Sequence, residues 1–129
     1  MVVVLIIAIL IAIAIPTLFG ARQRAQDRAA QSMLVNAAKA EAAYDAGNVG
    51  YTDDPTVLAE EESSLDWTGV ADDSVHVLTS ADKKEVLLYS RSNTGTWFGI
   101  RLNVGVRGTC LGPAESDVDD MADCSGREW

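Results

Sequence analysis

The sequence predicts an α+β protein in which one long N-terminal helix packs on a small antiparallel sheet. Three patterns predict it: an apolar run over residues 1–15, a stretch without Gly or Pro over residues 21–46, and alternating apolar and polar residues after residue 74. The 129 residues divide into the helix, residues 1–46, and an acidic head domain, residues 47–129. This length suits one ordinary domain, or a small domain with an appendage.

The first part of the helix, residues 1–20, is apolar on every side. About nineteen residues at 1.5 Å per residue cover roughly 28 Å, close to the hydrocarbon thickness of a bilayer. A secretory signal peptide fits less well, because such peptides carry a basic segment before the apolar run. One small domain could not cover every face of this helix. We therefore expect a membrane span, or a helix buried among copies of itself.

The helix pattern continues through residues 21–46 as an amphipathic segment. Small or apolar residues recur every three or four positions, at Ala21, Ala25, Ala29, Met33, Ala37, Ala40 and Tyr44. Gly47 predicts the C-terminal end of the helix. Pro16 and Gly20 predict a kink or a locally unwound stretch between Ala14 and Ala21.

The head domain begins with an irregular loop over residues 48–73. A short helix is predicted at 57–62, with Trp67 and Val70 packed under it. Alternating patterns then predict a meander of three or four strands, at 74–80, 84–92, 96–104 and 106–111. One face of this sheet is expected to pack on the long helix while the other face meets water.

Composition excludes several classes of function. The net charge of −9 combines +3 over residues 1–40 with −12 over the rest, which argues against nucleic-acid binding. One His and two Cys leave little material for a zinc site or a Cys–His catalytic pair. His76 is expected to be structural. The sequence lacks G-x-S-x-G and phosphate-loop motifs, so we expect no enzyme, no cofactor and no metal site. The acidic tail is expected to be solvated rather than to bind Ca²⁺; its carboxylates are Glu115, Asp117, Asp119, Asp120 and Asp123.

Cys110 and Cys124 bound a tail without secondary-structure periodicity. A disulfide between them would stabilise the fold by about 3 kcal/mol, and two free thiols are the alternative. The even number of cysteines in an anchored chain favours the disulfide and an oxidising compartment. This compartment conflicts with Arg22, Arg24 and Arg28, which by the positive-inside rule place the head in the cytoplasm.

The apolar opening with its Ala12-Ile13-Ala14-Ile15-Pro16 register, followed by an Ala/Arg/Gln-rich helix, closely resembles the N-terminal segment of type IV pilins. The resemblance covers about the first 35 residues and implies the pilin fold, with a disulfide-bounded C-terminal loop. Family members carry a short basic leader cut after Gly, and a Glu follows soon after the cut. These features lie upstream of Met1, so the resemblance implies that Met1 is internal to the mature chain. A basic leader also resolves the topology conflict, because it holds the N-terminus inside.

The resemblance implies a structural subunit that polymerises into an extracellular type IV pilus. Identical subunits would form a helical filament, after residence in the inner membrane and with the help of pilus assembly machinery and its ATPase. Its core would contain Val3, Leu5, Ile6, Ile9, Leu10, Ile13 and Phe19. Arg22, Arg24 and Arg28 would pair with acids of adjacent subunits, or simply be solvated. Alternatives are a pseudopilin of a type II secretion or DNA-uptake system and, less favoured, a monomeric membrane-anchored adhesin or binding module.

Overall fold

The computed structural model describes residues 1–126 and 129, and it has the expected α+β architecture. The elements are α1 Val2–Gly47, α2 Pro55–Glu61, β1 His76–Thr79, β2 Glu85–Arg91, β3 Trp97–Asn103 and β4 Val106–Gly112. The strands form one antiparallel sheet in the order β1-β2-β3-β4. Each strand lies within two residues of its predicted position.

Helix α1 runs without interruption through Pro16 and Gly20, so a locally unwound stretch is not seen there. Pro16 has no N–H to donate to the carbonyl four residues earlier, and a kink at this position stays a prediction. The helix ends at Gly47, as predicted. The backbone N–H of Asn48 donates to the Tyr44 carbonyl at 3.0 Å and closes the last turn.

The inner face of the sheet packs on the C-terminal half of α1. The core between them contains Ala30, Leu34, Ala37, Ala38, Ala40, Tyr51, Leu58, Trp67, Val75, Val86, Leu88, Phe98 and Ile100. Of the apolar stripe read from the sequence, Ala21, Ala25 and Ala29 are exposed. Ala21 and Ala25 precede the contact with the sheet, which begins near Asp27. Ala29 lies beside the sheet but faces away from it, since Ala30 and Leu34 are the buried residues there.

The outer face of the sheet does not simply meet water, which corrects the sequence prediction. The segment after β4 folds back and forms a second apolar cluster of Leu87, Tyr89, Cys110, Val118 and Cys124. The expected Cys110–Cys124 disulfide is present and lies against Gly99 of β3. A Cβ added to Gly99 would be 2.6 Å from Cys110 Sγ and 2.8 Å from Cys124 Sγ. The missing side chain therefore lets the disulfide approach the strand backbone.

The connection between α1 and β1 contains α2. Asp54 caps this helix by accepting the backbone N–H of Thr56 at 2.9 Å. Trp67 is buried as expected, and its indole N–H donates to the Glu62 carbonyl at 3.1 Å. The expectation for Val70 is wrong, since this side chain is exposed. Val70 lies within a surface loop, and the Val75 N–H closes this loop by donating to the Asp66 carbonyl at 2.7 Å.

Candidate functional site: the projecting apolar helix

The sheet contacts α1 at one end and the loop that follows α1 at the other. At one end, the Asp27 carboxylate accepts hydrogen bonds from the hydroxyls of Ser92 (2.8 Å) and Thr94 (2.5 Å), at the β2–β3 turn. At the other end, the Tyr51 backbone N–H donates to the Lys83 carbonyl in the β1–β2 turn at 2.9 Å. From Asp27 to its end, α1 is about 30 Å long, while a seven-residue strand covers about 23 Å. The contact therefore uses the full length of the sheet.

The part of α1 before Asp27 projects from the head. Residues 2–26 rise by about 37 Å, and the described side chains of residues 1–19 are all exposed. The residues predicted for the filament core, which are between 52% and 68% exposed in this monomer, are Val3, Leu5, Ile6, Ile9, Leu10, Ile13 and Phe19. Apolar side chains cover the whole circumference, so this segment requires an apolar environment that the head does not supply.

By length and composition, α1 is able to cross a membrane. A signal sequence near an N-terminus has the same properties, as does a core helix of a soluble protein. None of the apolar window is buried against the head, which makes it unlike a core helix of this domain. The helix is therefore compatible with membrane association.

A positively charged collar, defined as Arg22, Arg24 and Arg28, follows the apolar segment on α1. All three side chains are exposed. In the described part of the chain the ion pairs are Lys84–Asp82, Arg91–Asp72 and Arg101–Glu85, and none of them includes the collar. Asp27, the only acid within the collar, directs its carboxylate to Ser92 and Thr94. The collar charges are thus available to lipid phosphates, solvent or another chain.

His76 belongs to an aromatic cluster on the sheet. Its ring stacks on Tyr89 with centroids 4.5 Å apart, and Trp97 contacts it edge-on at 5.7 Å. Burial lowers the pKa of His76, and the charge of Glu115 acts in the opposite direction. These contacts are those of an imidazole packed against its aromatic neighbours.

The acidic tail uses several of its carboxylates to cap its own turns. Asp117 accepts the backbone N–H of Ala114 at 2.9 Å, and Asp120 accepts that of Ala122 at 2.8 Å. Over residues 1–126 and 129, no three His, Cys, Asp or Glu side chains are grouped as metal ligands.

Two polar residues that connect α1 to the head were not anticipated from the sequence. Asp27 reaches hydroxyls 65 and 67 residues away, and Glu41 is fully buried beside Thr52. The only available signal for Glu41 was its position four residues after Ala37 on the buried face. Asp27 carried no local signal, because its partners belong to a distant turn.

The fold and its projecting helix define an α+β protein whose N-terminal helix is able to enter a membrane. Comparison with models of protein families, with curated proteins and with solved structures finds no match to the chain.

Proposed function

We propose that this chain is a type IV pilin, a structural subunit that polymerises through the apolar part of α1 into an extracellular pilus. The observation that carries the proposal is the projection of residues 2–26 from the head, with apolar side chains on every side of residues 2–15. Full burial of one Val, Leu, Ile or Phe side chain is worth about 1.5–3 kcal/mol. Both a bilayer and a bundle of like helices provide this burial.

The two environments suggest a sequence of states. The apolar segment lies in the inner membrane before assembly, and packs against the same segment of other copies after the assembly machinery and its ATPase extract it. Small side chains at Ala8, Ala12 and Ala14 let neighbouring helices approach closely. The disulfide-bonded head then faces the oxidising exterior, where Cys110 and Cys124 stay paired.

The test is to shear surface filaments from producing cells, image them by negative-stain microscopy and identify their subunit by mass spectrometry. We expect this chain in long filaments. The variant Ile9→Asp should be absent from the filament fraction, because it places a carboxylate in an apolar bundle. The matched control Ile9→Leu should still be found in filaments. A chain that is restricted to the membrane fraction and absent from filaments would overturn the proposal, and would favour a membrane-anchored binding module or a pseudopilin.

A further inference from the structure

A groove runs along the head between α2 and the outer edge of β1. It consists of two adjoining cavities of about 310 and 370 Å³ that share Pro55, Trp67 and Thr68. We call it the α2–β1 groove. Its remaining lining includes Asp53, Ala59, Leu65, Asp66, Val77 and Leu78. The floor is mainly apolar and aromatic, while two carboxylates belong to the lining.

The strand that borders this groove has an open edge. The Ser80 N–H donates to the Glu85 carbonyl at 2.9 Å, and the register then makes Leu78–Leu87 and His76–Tyr89 the hydrogen-bonded pairs. The backbone groups of Val77 therefore point away from β2, toward the groove. The opposite edge of the sheet is covered, since the Thr109 N–H donates to the Gly126 carbonyl at 2.8 Å.

A second surface of the head has complementary chemistry. The turn between β3 and β4 presents Val104 and Val106, which are 76% and 67% exposed, followed by the exposed Arg107. We call these residues the β3–β4 tip. Among the described residues, Arg107 takes part in none of the ion pairs, and neither do Asp53 and Asp66 of the groove.

We propose that the β3–β4 tip of one copy docks into the α2–β1 groove of the next copy in the filament. The two valines would cover the apolar floor, and Arg107 would lie beside Asp53 and Asp66. Apolar side chains would thus meet an apolar surface, and a cation would meet two carboxylates. This inference rests on the proposed function, because it names a contact between heads within the polymer.

The topology permits one head to use both surfaces simultaneously. The groove borders β1 and the tip joins β3 to β4, so the two belong to opposite sides of a sheet ordered β1-β2-β3-β4. Strands β1 and β4 are about 14 Å apart at about 4.8 Å per strand. A contact between two different surfaces is heterologous, and when its rotation does not close it produces an open helical polymer.

Photo-crosslinking in intact filaments tests the contact. The variant Val104→p-benzoylphenylalanine is produced in the full chain, and filaments are irradiated, sheared and mapped by mass spectrometry. We expect crosslinks to the 53–69 segment of a second copy. The matched control, Ala114→p-benzoylphenylalanine, carries the probe at an exposed position of the C-terminal segment and should give none to that segment. The contact would be overturned if the Val104 crosslinks in these filaments map to another segment or to another protein, or if no crosslink forms. The pilin proposal would stand in each of these cases.

A charge reversal provides a measurement that needs no probe at the tip. We expect Arg107→Asp to lower filament yield about two- to fivefold, the range of a partly exposed ion pair, and Asp53→Arg in the same chain to restore it. Lys84→Asp, at an exposed cation in another turn that pairs only with the exposed Asp82 at 3.9 Å, should leave the yield unchanged. Equal losses in Arg107→Asp and Lys84→Asp, or no restoration, would overturn the contact. If the unmodified chain itself is absent from filaments, the proposed function fails and this inference fails with it.

Discussion

The buried carboxylate of Glu41 on α1 accepts a hydrogen bond from the backbone N–H of Thr52, 3.3 Å away, where the loop turns back along the helix. Its Oε1 atom is buried without a hydrogen-bond partner among the described residues. Burial raises the pKa of Glu41 from 4.5 to about 7; the Thr52 hydrogen bond opposes this rise, and the charges of Asp53 and Asp45 add to it.

The raised pKa predicts that Glu41 weakens the fold as the pH rises. The unfolded chain releases this proton near pH 4.5 and the folded chain near pH 7, so the folded state binds more protons between those values. The stabilising contribution is complete below about pH 4.5 and is lost by about pH 7, a difference of roughly 3 kcal/mol. We expect Glu41→Gln to be more stable than the unmodified chain at pH 8, and this difference to become smaller as the pH falls toward 4.5.

Urea unfolding of the full chain in detergent, followed by near-UV circular dichroism from pH 5 to 8, measures this difference. The matched control is Glu61→Gln, because Glu61 is an exposed carboxylate on α2 and its substitution should change stability by less than about 0.5 kcal/mol. Parallel stability curves for Glu41→Gln and the unmodified chain would show that Glu41 does not titrate in this range.

The hydrogen bonds of Asp27 predict that this residue fixes the angle at which α1 leaves the head. Asp27→Ala removes the acceptor for Ser92 and Thr94 and should lower the free energy of unfolding by about 1–3 kcal/mol. Amide hydrogen exchange in the β2–β3 turn should become faster. Arg28→Ala is the control, since the neighbouring Arg28 is exposed and makes no ion pair in the described part of the chain. Similar exchange rates in the two variants would contradict this role.

Local patterns were sufficient for the elements of this fold and insufficient for their contacts. Apolar run length predicted α1, and alternation placed every strand within two residues of its position, because these patterns report which side of an element is buried. The apolar stripe does not mark the buried face at Ala29, because Ala30 and Leu34 are the residues that face the sheet there. It also could not show that the contact with the sheet begins only near Asp27, after Ala21. Asp27 and Glu41 depend on groups far away in sequence. Their environments follow only from the tertiary packing.

The disulfide predicts a local rather than a global dependence on oxidation. Replacement of Cys110 and Cys124 by Ser should cost about 3 kcal/mol on the loop-entropy estimate and loosen the cover over the outer face of the sheet. Limited proteolysis should then cut within residues 113–123, while the inner core on α1 stays folded.

Thiol labelling of the unmodified chain without reductant should modify neither cysteine. Labelling of both would contradict the pairing.

The close approach of the disulfide to β3 predicts that Gly99 tolerates no side chain. The Cβ of Gly99→Ala would lie within 2.8 Å of both sulfur atoms, and overpacking of this kind costs about 1–3 kcal/mol. Gly47→Ala is the control, because a Cβ there meets nothing within 4 Å. A double-mutant cycle identifies the cause: in the background with Cys110→Ser and Cys124→Ser, the cost of Gly99→Ala should decrease, because oxygen is smaller than sulfur and the crosslink is gone. Urea unfolding measures the free energy of the four chains in the cycle: the unmodified chain, Gly99→Ala, the chain with both cysteines replaced, and the chain with all three changes. An equal cost of Gly99→Ala in both backgrounds would place the strain elsewhere in β3.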